Sequence, residues 1–241
     1  VRSLYFGTRA CQSSMQLNDP TELTLGYTRS MLAALLFQSA PVKILLIGLG
    51  GGSLARFLLH HLPNTDITCV ETRASVVELA RLYFHLPEDP RLHIHITDGA
   101  TFLDNCPAHS FDLMLIDAFD SVGVHPSICM HEFHRASRRA LAPDGVVSIN
   151  LWTTPGASYE TLLKNMSTGF AGQVLRLPVE KRANLIALGL DKTLTRQDFK
   201  QLREPARRMA QQFGLDFPRQ LRSLQHHNGA LMRRLLDLRL G

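Results

Sequence analysis

Five short apolar runs dominate the middle of the chain, and stretches with helical spacing separate them. Val42–Gly48 (VKILLIG), Asp66–Glu71 (DITCVE), Leu92–Asp98 (LHIHITD), Phe111–Ala118 (FDLMLIDA) and Gly145–Trp152 (GVVSINLW) read as strands. Ser53–Leu62, Ala74–Phe84, a short turn at Ala100–Asn105, and Ser127–Leu141 read as helices between them. Strands alternating with helices predict a parallel, doubly wound sheet, whose buried strands are apolar on both sides. A helix at Tyr159–Gly169 follows, then two strand-like runs, Gln173–Val179 and Asn184–Leu190. Only Glu180–Ala183 lies between those runs, which is too short for a crossover helix and predicts an antiparallel hairpin.

The predicted fold class is therefore α/β, a Rossmann-like sheet of the AdoMet-methyltransferase type with seven strands and an antiparallel last hairpin. A dinucleotide-binding half would more often continue with strand–helix units. The flanks differ from this middle. Arg2–Phe6 and Gln12–Leu17 suggest a short β segment, and Thr24–Gln38 an amphipathic lead-in helix. The last 50 residues read as helices broken at Pro205, Pro218 and near Gly229. The expected organisation is an N-terminal segment over 1–40, a catalytic domain over 41–191 and a helical extension over 192–241.

With 45% hydrophobic and 20% charged residues, a folded globular chain is expected rather than a disordered one. No apolar run approaches the ~18 residues of a membrane helix, and no signal-peptide pattern is present. Cys11, Cys69, Cys106 and Cys129 form no CxxC pair, which suits reduced thiols in a cytoplasmic protein. The net charge of +5 is uneven. Residues 192–241 hold 11 Lys/Arg against 4 Asp/Glu, and the rest 15 against 17. No aromatic residues are interleaved with those arginines, so solvated helix faces are expected and a nucleic-acid partner is not.

The candidate chemistry sits at the strand ends. Gly48-Leu49-Gly50-Gly51-Gly52-Ser53 joins the first strand to a helix, where glycines admit a ligand and the helix start offers free N–H groups. Ser53 stands where the dinucleotide pattern has its third glycine. Glu71 ends the second strand and suits the two ribose hydroxyls of a nucleoside. Asp98-Gly99 ends the third, where the carboxylate suits an adenine amino group, or else caps the next helix. Asp117 ends the fourth, in the same crevice, as a candidate base or cation holder. Asp120 follows it in the loop. His131 and His134 lie three apart with no third ligand evident, so no metal is expected.

Taken as a set, these motifs resemble the spermidine synthase (polyamine aminopropyltransferase) family, in its bacterial spermidine-synthase-like branch. The resemblance runs from about Arg2 to Leu190 and includes Gln12-Ser13-Ser14-Met15, Tyr27-Thr28, the triple glycine, and Leu141-Ala142-Pro143-Asp144-Gly145-Val146. The family usually has Asp after the triple glycine, where this chain has Ser53. It usually reads Ser-Ser/Thr-Asp-Pro after the catalytic Asp, where this chain has Ala118-Phe119-Asp120-Ser121. The resemblance implies transfer of an aminopropyl group from decarboxylated AdoMet to a diamine such as putrescine. Asp117 would be the base. Gln12, Tyr27 and Asp120 would hold the amine, and Gly48, Gly50, Gly51, Ser53, Glu71, Asp98 and Gly99 the nucleoside. No tightly bound cofactor is implied, decarboxylated AdoMet or AdoMet being a co-substrate, and a homodimer is expected. Two alternatives remain: methyl transfer from AdoMet, whose carboxylate Ser53 would not repel, and a non-catalytic nucleoside-binding protein.

Overall fold

A computed structural model of the protein describes residues 1–5, 11–118, 125–152, 159–170, 174–192 and 194–229. An antiparallel pair, β1 (Arg2–Tyr5) and β2 (Cys11–Met15), precedes α1 (Gly26–Met31). The central sheet is built from β3 (Lys43–Ile47), β4 (Asp66–Glu71), β5 (Leu92–Ile96), β6 (Phe111–Ile116), β7 (Leu141–Trp152), β8 (Val174–Pro178) and β9 (Asn184–Leu190). The intervening helices are α2 (Ser53–His61), α3 (Ala74–Tyr83), α4 (Gly99–Asp104), α5 (His131–Ala140) and α6 (Glu160–Gly169). Three helices close the described chain: α7 (Arg196–Gln201), α8 (Arg203–Phe213) and α9 (Phe217–His227).

The strand order is β5-β4-β3-β6-β7-β9-β8, with β9 antiparallel to both neighbours and the other pairs parallel. The expected seven-stranded sheet with a closing hairpin is thus present. A bond from Val179 N to Asn184 O (3.0 Å) closes the turn. Gln173, placed at the start of this hairpin from sequence, lies outside the described residues. The chain leaves β3 in one direction through β4 and returns to its other side as β6. That reversal opens a crevice at the carboxyl ends of the strands.

Several expectations are corrected. Thr24–Gln38 is not one amphipathic helix. α1 passes at Met31 into a 3-10 segment, Leu32–Leu36, and every residue from Met31 to Leu36 is at most 3% exposed. A run with no polar face cannot remain at a surface, and the C-terminal helices cover it: Phe199 of α7 meets Phe37 edge-on at 6.2 Å, and Gln220 Nε2 of α9 donates to Arg29 O (2.9 Å). Ser127–Leu141 is a 3-10 turn (Pro126–Cys129) followed by α5, with Leu141 already in β7. β5 is an outer strand: His93, His95 and Ile96 are exposed, so burial on both faces belongs to the interior strands. Pro205 and Pro218 do not break helices but sit in the first turns of α8 and α9, where a missing N–H costs nothing.

One core lies on each side of the sheet. Ile44, Leu46, Leu113 and Leu188 point toward α2, α3 and α7–α9. Leu45, Met114, Val147 and Ala187 point toward α4–α6. α9 also covers the outer edge of the sheet, because the Asn228 side chain bonds both N and O of Arg176 on β8 (2.9 Å each). Pairing that edge removes a template for aggregation. No described helix is long and apolar enough to cross a membrane.

Candidate active site

The glycine loop after β3 shapes the crevice. Gly48 has φ +92°, and a Cβ on it would fall 2.3 Å from the Asp117 carbonyl oxygen. Only glycine lets the ends of β3 and β6 approach this closely. The resulting cleft, about 920 Å³ with its open mouth, lies within the range that holds small ligands. Gln12, Tyr27, Gly48, Gly50, Ser53, Glu71, Asp98, Gly99 and Asp117 all line it. Gly51 does not: a Cβ there would meet Ser13 Oγ at 2.7 Å, so this glycine serves contact with β2. Asp120 lies outside the described residues.

Glu71 is 7% exposed at the end of β4. Its Oε2 accepts from Leu49 N (3.1 Å), and its Oε1 from Arg73 N (3.0 Å) and Thr72 Oγ1 (3.2 Å). The carboxylate thus ties the glycine loop to β4 while facing the cleft. Asp98 caps α4, its Oδ1 accepting from Ala100 N (2.9 Å) and Thr101 N (3.1 Å). A Cβ on Gly99 would meet Ile47 Cγ2 at 2.7 Å, so glycine here lets α4 close on β3.

Asp117 lines the cleft directly after β6. Its Oδ1 accepts from Asn150 Nδ2 (2.9 Å), and Asn150 Oδ1 accepts from Asn184 Nδ2 (3.0 Å). The Tyr27 hydroxyl lies against the same carboxyl, with Gln12 O at 3.2 Å as the alternative acceptor for its one proton. Burial pushes the Asp117 carboxyl up to about 6, and the donors Asn150 and Tyr27 hold it back from rising further. Burial and the Asp117 charge together push the Tyr27 phenol well above its usual range. At neutral pH the site holds an ionised, poorly solvated carboxylate beside a neutral phenol, an arrangement able to take a proton.

Ser53 is buried against β2, its Oγ 3.2 Å from Ser13 Oγ and donating to Ser14 O (3.3 Å). Beside it lies Arg56, 4% exposed. Its Nε donates to Pro20 O (2.9 Å), its Nη1 to Gly51 O and its Nη2 to Ser53 Oγ (3.5 Å). Burial lowers this guanidinium to about 10, so it remains charged. Arg56, Asn150 and Asn184 were not singled out from sequence. The signals were a lone cation in the apolar helix SLARFLL and a lone amide in the apolar strand VVSINLW.

Sheet order defines an α/β protein of the AdoMet-methyltransferase type, with the cleft at the switch point between β3 and β6. A profile described as the spermine/spermidine synthase domain matches residues 26–174. A polyamine aminopropyltransferase of Neisseria meningitidis serogroup A is 36% identical over 230 residues, covering 95% of this chain and 87% of that one. The chain belongs to the spermine/spermidine synthase family, and with it to the transferases. Among solved structures, a probable spermidine synthase from Corynebacterium glutamicum has the same fold, with a TM-score of 0.70 and 22% identity over 82% of this chain and 76% of that one. A spermidine synthase in complex with the transition-state analogue AdoDATO gives a TM-score of 0.63 and 24% identity over 75% of this chain and 65% of that one.

Proposed function

We propose that the protein transfers an aminopropyl group from decarboxylated AdoMet to a diamine such as putrescine. The observation that carries this reading is the Asp117 carboxyl, raised to about 6 and faced by Tyr27 and Asn150, in a cleft that also presents Glu71 and Asp98. In this reading Glu71 holds the ribose hydroxyls, the Asp98 carboxyl the adenine amino group, and the glycine loop the rest of the nucleoside. Gln12 and Tyr27 orient the diamine, joined by Asp120. The amine nitrogen attacks the aminopropyl carbon next to the sulfonium, the C–S bond breaks, and methylthioadenosine leaves. The sulfonium is already a good leaving group, so the protein's tasks are alignment and removal of the amine proton, which passes to Asp117.

Ser53 leaves the donor's own ammonium without the family's usual carboxylate, and the family relationship favours the decarboxylated donor over AdoMet. Four free thiols support a cytoplasmic setting, and a homodimer remains part of the reading. The test is turnover of decarboxylated AdoMet and putrescine by wild type and by Asp117→Asn. The variant should lose about 10²–10⁴-fold, the usual scale for a general base. Wild-type kcat/KM should fall as pH drops below about 6, because the folded carboxyl protonates there. An Asp117→Asn enzyme with wild-type turnover defeats the assignment.

A further inference from the structure

A second chamber adjoins the cleft and shares Gln12 and Tyr27 with it. Its other walls include Asn150 and Trp152 from the end of β7 and the β8–β9 turn. Asp117 lines the cleft but not this chamber. Among its described lining residues the only charged ones are Lys181 and Arg182, both exposed on the turn. Neither has an acidic side chain within ion-pair distance among the described residues. The turn does contain an acid, Glu180, but that side chain is engaged by Arg219 of α9. A space continuous with an amine-handling site is thus bordered by cations.

We propose that Lys181 and Arg182 set the acceptor length of the reaction by repelling any further ammonium group that would extend past Tyr27 into the chamber. The inference rests on the aminopropyl-transfer reading. With its reacting nitrogen at Asp117, a diamine keeps its far ammonium beside Gln12 and Tyr27. A triamine must place a third charge in the chamber, where no described carboxylate would receive it. Like charges brought together in this way discriminate between partners, even at a partly solvated site.

The experiment compares kcat/KM for putrescine and for spermidine as acceptors, with decarboxylated AdoMet as donor, in wild type and in the double variant Lys181→Glu/Arg182→Glu. Both positions lie on an exposed turn outside the catalytic machinery. Lys181 has φ +56°, a backbone strain that Glu shares with Lys. Wild type should prefer putrescine. The charge reversal should lower that preference about tenfold, chiefly through a smaller KM for spermidine, with the putrescine constants little changed. The effect should shrink as salt is added, because exposed charges are screened over about 8–10 Å. Lys181→Gln/Arg182→Gln should fall between the two. An unchanged acceptor ratio in both variants, or a wild type that uses both amines equally, overturns this inference alone. Failure to turn over either amine overturns the aminopropyl-transfer reading and this inference with it.

Discussion

At Asp117 folding and the proposed chemistry pull in opposite directions. The carboxyl of an unfolded chain titrates near 3.8, and burial raises the folded value to about 6. The folded state therefore holds its proton to higher pH than the unfolded state does. The stabilising contribution is complete below about pH 4 and is lost as pH rises through 6. At pH 8 the ionised, buried carboxylate costs about 3 kcal/mol at most. Asp117→Asn removes the titration, so the variant should melt above wild type at pH 8 and level with it near pH 4. Thermal melts at the two values test this, and a difference independent of pH would show that the carboxyl is not poorly solvated. Gly48, Glu71, Asp98 and Asp117 were legible in the sequence because each ends an apolar run, and strand ends in such sheets converge on one crevice. Asn150 and Asn184 were not. Their link to Asp117 depends on the register of β7 against β9, in which Trp152 pairs with Asn184, and a single run of residues carries no register. Arg56 was missed for a similar reason: its partners are the carbonyls of Pro20 and Gly51, and carbonyls carry no residue signature.

Between α5 and α6 the packing buries a histidine. His134 is 0% exposed, and neither ring nitrogen has a hydrogen-bond partner among the described residues. Gly169 of α6 is small enough to admit it, since a Cβ there would lie 2.9 Å from that of His134. Burial, assisted by nearby His131, lowers the imidazole to about 4. The unfolded chain binds the proton near 6.5, so the neutral ring's contribution is present above that pH and is lost as pH falls toward 4. His134→Leu should resist acid better than wild type, with up to about 3 kcal/mol gained by pH 4 and a difference set by packing alone at pH 8. Urea unfolding at both pH values measures it, and equal acid sensitivity in the two proteins would refute the assignment. Hydrophobic period identified the interior strands and the helices between them, including this pair. It misread the stretch from Met31 to Leu36, because a helix covered on every side has no polar face to give a period. It also misread Pro205 and Pro218, because proline marks the first turn of a helix as readily as its end.

Across the whole molecule, charge and packing divide the C-terminal residues differently. Summed over residues 192–241 the charge is strongly positive, yet a sum averages the two faces of each helix. The apolar faces of α7, α8 and α9 bury Phe199, Phe213, Phe217, Leu221 and Leu224 in the same core as Ile44 and Leu46 of β3. The basic residues lie on the other face: Arg207, Arg208 and Arg222 are exposed. Phe217 shows how far this connection reaches. It is fully buried and meets Phe213 at 5.8 Å, and Phe213 stacks on Phe57 of α2 at 6.3 Å, so one aromatic row runs from the last helix to the helix that follows the glycine loop. Deleting a buried phenylalanine side chain typically costs about 3–5 kcal/mol. For a chain of this size that corresponds to a fall in Tm on the order of 10 °C. Phe217→Ala should therefore melt that far below wild type, as one transition, with the whole sheet losing structure together. Assayed well below its transition, it should keep the KM values of wild type, because Phe217 does not line the cleft. Arg208→Ala, on the exposed face of α8, should shift Tm by no more than the ~0.5 kcal/mol usual for surface positions. If Phe217→Ala melts like wild type, or if the sheet survives as a second, later transition, the C-terminal helices are an appendage and not part of the core.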